Sequence, residues 1–384
     1  MHSYIPAYLR SKNRGVVLHL LREHKALSRA DIAKYSKISF PTVIKVVDDF
    51  LALGLVSEAE SIATSQSGLG RKSQLIRLNE SAFAAAGIFF EGNLLHVGLV
   101  DLSYRVIDQI IYPLQGDPAS PDEYERISMK MTDAVDMLRR AHPETRVLGV
   151  GVGLPGVVDT ENMTFRRWGK LHGFYDSYKT FSNLRDTPIY IENDMNAASL
   201  GEMLLRDDSA YGNLCYLSLG TGIGAGLIVN SRIWHGDAYF AGDIGVALTR
   251  LDLDTLPEDL SSLRLNSQIN AAALTEKFGV DIQRGAICSA NTKKEISEYI
   301  IRRLLPVLYN MNYIFDISHY VLAGTVTDFL YPVIFDTFEQ YLSELRRIDM
   351  IPLQISIVPS VDKNAGIVGT ANLALENCLA KLLS

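Results

Sequence analysis

The chain has 384 residues, 47% of them apolar, with 37 Lys/Arg against 44 Asp/Glu for a net charge of −7. That is length for two or three domains and ample material for their cores. Three scattered cysteines, Cys215, Cys288 and Cys378, argue against a disulfide scaffold and for a reducing compartment. Met1–Arg10 lacks the apolar stretch of a signal peptide, and the most apolar run, Ala82–Phe90, ends at Glu91, short of the ~20 residues that span a bilayer. These features predict a cytoplasmic protein without membrane attachment.

Charge is unevenly spread. Residues 1–80 hold 12 Lys/Arg against 7 Asp/Glu, whereas the remainder hold 25 against 37. A basic head on an acidic body predicts that only the head meets a polyanion.

In the head, Val16, Val17, Leu20 and Leu21 have helical spacing within Asn13–His24. Ser28-Arg29-Ala30-Asp31 reads as a capping box opening a short helix that runs to about Tyr35. Ser39 can cap a third helix, with Pro41 in its first turn and Val43, Val46, Val47, Phe50 and Leu51 as its buried stripe. Gly54 ends it. Strands at Leu55-Val56 and Leu75–Leu78 then form a hairpin. Three helices and a hairpin make a winged helix-turn-helix, a DNA-binding domain over residues 1–80. The recognition helix would present Ser39, Phe40, Thr42, Lys45 and Asp49 to a double-stranded operator, and the wing would bring Arg71 and Lys72 to phosphates or a minor groove. The competing reading of Lys45 and Arg71 is ordinary solvated charge, or a head that docks protein instead of DNA.

Residues 81–384 show two similar β/α halves. The first starts with strands across Ala85–Pro113, then a helix near Pro121–Ala141, a strand at Val147–Gly153, a strand at Ile189–Ile191 and a helix at Ala197–Leu205. The second starts at Leu214–Ile233 and continues through helices near Ala271–Phe278, Lys293–Tyr309 and Asp328–Arg346, with strands at Tyr320–Leu322 and Ile355–Val358. The division expected is a first lobe at 81–200 and a second at 201–384, with ligand held in the cleft between them. Gly220-Thr221-Gly222-Ile223-Gly224-Ala225-Gly226 lies between apolar strands, so it reads as a hairpin turn whose amides could approach an anion, not as a dinucleotide loop.

With these motifs in order, the chain resembles the ROK family (repressors, open reading frames, kinases) of the actin/hexokinase-like ATPase superfamily. The resemblance rests on the winged head, Gly153–Asp159, Ile191–Asn196, Gly220–Gly226, Ala241–Gly245 and Ala365–Ala371. It implies an α/β fold: a winged helix-turn-helix followed by a two-lobed actin/hexokinase-like (ribonuclease H-like) duplicated domain. It further implies a sugar-controlled repressor of carbohydrate metabolism, with Gly156, Asn193, Asp194 and Asp243 facing a sugar or sugar phosphate and Gly220, Thr221, Gly222 and Gly224 as a phosphate-loop remnant. Asp194 matches the base of the family's kinases. The competing reading of the Asn193-Asp194 pair is a cap for the helix starting near Ala197, and the two roles can coexist.

Several family features are replaced. The kinases' first hairpin runs approximately Asp-x-Gly-Gly-Thr; here Phe89 takes the aspartate's place, Glu91 a glycine's and Asn93 the threonine's. Ala323-Gly324 stands for a Gly-Gly. The zinc-binding His-Cys set is absent, with Val246 at the histidine position. The expectation is therefore a homodimeric, operator-binding regulator with a degenerate kinase domain, no catalysis, no cofactor and no metal. Two alternatives stand beside it: a ROK-type ATP-dependent sugar kinase with an appended head, and a regulator whose body only dimerises.

Overall fold

The computed structural model describes residues 4–59, 74–114, 121–166, 175–176, 181–184, 187–206, 212–251, 254, 258–349 and 353–383. Its head begins with a helix at Tyr4–His24, longer at its N-terminal end than apolar spacing foretells. Ser28 is the N-cap, as half of the expected capping box: its Oγ accepts from Asp31 N at 3.1 Å and donates to Asp31 Oδ2 at 2.6 Å, starting the helix Arg29–Ser36. The third helix is Phe40–Ala52, burying Val43, Val46, Val47 and Phe50 while Leu51 is only half-buried. Ser39 precedes this helix but its side chain makes no cap; its Oγ lies 2.7 Å from Thr42 Oγ1. Strand β1 (Ala26–Ser28) joins the expected hairpin of β2 (Val56–Ala59) and β3 (Leu75–Leu78), giving the antiparallel order β1-β3-β2. A three-residue strand is too short for periodicity to reveal.

The first lobe opens with an antiparallel meander of β4 (Phe83–Glu91), β5 (Leu94–Asp101) and β6 (Val106–Pro113). Strand β7 (Arg146–Leu154) pairs parallel with β4. A small sheet of β8 (Val157–Asp159), β9 (Thr164–Arg166) and β10 (Tyr175–Asp176) follows, then β11 (Ile189–Asn193), parallel to β7. The helix Pro121–Ala141 covers one face with Ile127, Met131, Ala134, Val135 and Leu138.

The second lobe repeats this plan. Strands β12 (Leu214–Leu219), β13 (Ile223–Val229) and β14 (Arg232–Ile233) form the meander, and β15 (His319–Ala323) and β16 (Ser356–Pro359) add in parallel. The two sheets have the same topology, β11-β7-β4-β5-β6 and β16-β15-β12-β13-β14, which is the duplication expected from sequence. Two readings change. The glycine turn covers only residues 220–222, because β13 already begins at Ile223. The single helix expected over 328–346 is two, Thr325–Leu330 and Val333–Ile348, with Pro332 between them.

Two helices lie between the sheets. The hinge helix Asp194–Leu205 rests on β12 and β13, and the C-terminal helix Ala365–Leu382 rests on β4, β5 and β7. They meet at Gly201 and Gly369: a Cβ on Gly369 would land on the Ala197 carbonyl, and one on Gly201 on the Ala365 carbonyl. The last helix of the chain thus packs on the first lobe. It also reaches the head, since one apolar core runs from Val17, Leu21 and Phe50 through Val100 and Leu102 to Leu375 and Leu379.

Candidate functional site

The head presents one face of the recognition helix. Phe40 and Ile44 are exposed apolar side chains, Lys45 is exposed beside them and Thr42 is half-buried. Asp49 is not part of that face, because its carboxylate sits 2.6 Å from Arg14 Nη2. Arg71 and Lys72 lie outside the described residues.

The cleft is a cavity of about 410 Å³. All eight body residues singled out from sequence line it: Gly156, Asn193, Asp194, Asp243, Gly220, Thr221, Gly222 and Gly224. Their convergence follows from topology. The β4–β5 and β12–β13 turns are equivalent tips of the two sheets, so they face each other; a Cβ on Gly92 would touch Thr221 Cγ2 at 4.0 Å.

Local chemistry divides these residues. Asn193 is the N-cap of the hinge helix: its Oδ1 accepts from Met195 N at 2.9 Å and Asn196 N at 3.0 Å. Its Nδ2 donates to the Gly156 carbonyl at 2.9 Å, tying β11 to the β7–β8 turn. Most of the Asn193 amide is spent on holding the wall together. Asp194 Oδ1 accepts from Met195 N at 2.9 Å. In the glycine turn, Gly220 N–H donates to the Gly222 carbonyl at 3.1 Å and Ile223 N–H to Asn266 Oδ1 at 3.1 Å. Those two amides are committed inside the protein and not offered to an anion.

Two features escaped the sequence. Glu192, 2% exposed, accepts from Asn193 N at 2.8 Å and Asn196 Nδ2 at 3.1 Å, and its other oxygen meets His235 Nε2 at 2.8 Å. The hydrogen bond to Glu192 raises the His235 pKa above its ordinary value, against the opposing effect of burial. This contact joins the first lobe to the loop after β14. No local pattern could flag a histidine whose partner is 43 residues away. The second feature is an aromatic wall, Tyr239 and Phe240, with His235 edge-on to Tyr239 at 5.5 Å and the Arg166 guanidinium 5.7 Å from the Phe240 ring. Flat apolar rings beside carboxylates suit a polyol, which has both C–H faces and hydroxyls.

The kinase-loop position looks different. Phe89 packs against the C-terminal helix, its ring 2.5 Å from where a Cβ on Gly366 would stand. Glu91 pairs with His96 at 3.5 Å. Beyond Val246, Thr249 N donates to the Leu263 carbonyl at 3.1 Å and Gln268 Nε2 to Thr249 Oγ1 at 3.0 Å, with Arg303 Nε donating to Gln268 Oε1 at 2.7 Å. Among the described residues, no three His, Cys, Asp or Glu side chains converge to hold a metal. No described helix is long and apolar enough to cross a membrane.

The sequence profile of the ROK family matches residues 96–256, from β5 through the glycine turn to the segment after Asp243. Over those residues the chain is similar to the ROK family. It is similar to the xylose repressor of Caldicellulosiruptor bescii, 26% identical over 240 residues, covering 62% of this chain and 58% of that one. The chain thus spans less than two thirds of the length of the xylose repressors it matches. It is also similar to the DNA-binding transcriptional repressor Mlc of Escherichia coli, 21% identical over 368 residues and 86% of each chain. A crystal structure described as a ROK family transcriptional regulator, homologous to E. coli Mlc, superposes with a TM-score of 0.71 at 17% identity, covering 98% of both chains. That likeness establishes the architecture from head to C-terminal helix.

Proposed function

We propose that the chain is a sequence-specific DNA-binding transcriptional repressor of carbohydrate metabolism, acting as a homodimer, whose kinase-like body senses a sugar without phosphorylating it. One observation carries this reading: the C-terminal helix runs from the cavity to the head. Gly366, in its first turn, lines the cavity. At its far end Arg14 of the head donates to the Leu383 carbonyl, and Arg22 contacts Glu376 at 3.2 Å. The helix thus touches the cavity at one end and the head at the other, a direct link between the two. The repressor names of the similar proteins support the same reading.

The cleft argues against catalysis. Phosphoryl transfer rests on positioned phosphates, a metal and charge stabilisation. Phe89 supplies none of these, and Glu91 adds repulsion. Asp194 then accepts hydroxyl hydrogen bonds instead of removing a proton. In a homodimer, two recognition helices would read half-sites about one DNA turn apart. The test is a gel shift with the protein's own promoter region, with and without sugars, beside an ADP-release assay. Salt-sensitive operator binding that responds to a sugar, without sugar-dependent ADP release, is expected. No binding at low salt under any ligand condition refutes the repressor, and ADP release refutes the inactive cleft.

A further inference from the structure

Resting on the operator-binding reading above, we infer that the recognition helix reads thymine. Phe40 and Ile44 cover the C5-methyl groups of thymines in each half-site, in place of paired hydrogen bonds to guanine or adenine. The helix Phe40–Ala52 contains no Arg, Asn or Gln. Those are the side chains whose paired hydrogen-bonding atoms match guanine and adenine in the major groove.

The polar groups of this helix are few and mostly committed. The Ser39 and Thr42 hydroxyls, 2.7 Å apart, are tied to each other. Asp49 is held by Arg14 at 2.6 Å. Asp48 sits 3.3 Å from Arg29, which also meets Glu58 at 2.9 Å. It lies one turn beyond Ile44, away from the N-terminal residues that meet base edges. Lys45 is the only cation of the helix, and it is exposed.

Apolar side chains hold the rest of the exposed face. Phe40 is 48% exposed and Ile44 36%. The core of the head does not need them, because Val43, Val46, Val47 and Phe50 form the buried stripe. Phe40 and Ile44 are four residues apart and so share one face of the helix. The rise between them is about 6 Å, close to two base-pair steps of about 3.4 Å. An apolar side chain left in water gains by covering an apolar group, and the thymine methyl is the one that base edges offer in the major groove. Charge selects DNA as the occupant of this face. Lys34 and Lys37 are exposed on the helix and turn that lead into it, and residues 1–80 carry 12 Lys/Arg against 7 Asp/Glu. Such a surround suits phosphates on either side of the groove.

The test is fluorescence anisotropy of the full chain on a synthetic operator, its half-sites located by footprinting the protein's own promoter region. Deoxyuridine replaces thymidine within the half-sites. It keeps the pairing and every hydrogen-bonding group and lacks only the methyl. Each methyl covered by Phe40 or Ile44 should be worth about three- to fourfold in affinity, the effect of burying one CH2 group. The same replacement outside the half-sites should leave affinity unchanged. Phe40→Ala and Ile44→Ala should each weaken binding to the thymidine operator and reduce its preference over the deoxyuridine operator, with the ratio approaching one in the double variant. Equal wild-type affinity for the two operators overturns the inference and leaves operator binding, and with it the repressor reading, intact. Variants that keep the full wild-type ratio also overturn it, because the methyls are then read by other residues. If the full chain binds no promoter DNA at low salt under any ligand condition, the operator-binding reading itself fails and the inference falls with it.

Discussion

Arg22 is where the head is most directly held to the body. Its side chain is 10% exposed. Nε donates to the Leu102 carbonyl at 2.6 Å, Nη1 reaches the Tyr104 hydroxyl and Glu376 Oε1, and the guanidinium lies 4.2 Å from the Tyr104 ring centre. Burial pushes the Tyr104 phenol up to about 12, so it remains a neutral hydroxyl partner throughout the usable pH range. Arg22→Met keeps much of the aliphatic stem and removes the charge. The bond to the Leu102 carbonyl is charge-assisted and worth about 1.5–3 kcal/mol. The Glu376 pair, with that carboxylate 46% exposed, adds at most about 1 kcal/mol, and the ring contact about 0.5–1 kcal/mol. A loss of about 3 kcal/mol is expected, roughly a hundredfold in the equilibrium between docked and loosened head. Hydrogen exchange should show protection falling along Tyr4–His24 and around Leu102. The ratio of operator affinities with and without sugar should move toward one, while sugar affinity stays within about twofold of wild type. If stability falls as calculated but the operator still responds normally to sugar, the C-terminal helix is not the route from cavity to head.

The Asn193-Asp194 pair should separate by substitution. Asn193→Ala removes the N-cap and the tie to Gly156 and should cost about 1–2 kcal/mol in denaturant unfolding, with a loss of sugar response that follows from it. Asp194→Ala should cost less than about 1 kcal/mol yet abolish the sugar response while operator binding persists. Unfolding by Asp194→Ala would assign it to the cap instead. His235 supplies a pH dependence. Its pKa is raised in the folded protein, so the stability from its bond to Glu192 is fully present below its ordinary value of 6.5 and is lost as pH rises through the higher folded value. His235→Gln keeps a donor that does not titrate, so its melting temperature should vary less than wild type across that window. Identical profiles would mean that the contact contributes nothing to lobe closure.

Much of this architecture can be read from side-chain order. The N-cap at Ser28, the stripe Val43–Val47–Phe50, the two meanders and the apolar parallel strands are local patterns, and short-range sterics and burial enforce them. The limits also have local causes. Ser39 could cap by identity, but its hydroxyl turned to Thr42. Gly224 and Gly226 look like turn residues, yet they are strand residues packed against Met195 of the hinge helix. Asp49 has the spacing of an exposed position on the recognition helix, and only docking of the first helix brings Arg14 against it.

Sequence alone determined the composite plan of a basic head of three helices and a hairpin on a duplicated α/β body; which residues face the cleft came from the family resemblance. The plan is legible because helical and strand periodicities are set within a few residues. Tertiary structure decided what those residues are used for. It tied the Asn193 amide to the Gly156 carbonyl, set His235 against Glu192 from the other lobe and laid Phe89 over Gly366. It also sent the last helix of the chain back through the first lobe to the head. These are contacts between segments tens to hundreds of residues apart, formed by packing two sheets around two crossing helices, and no local pattern of side chains encodes them.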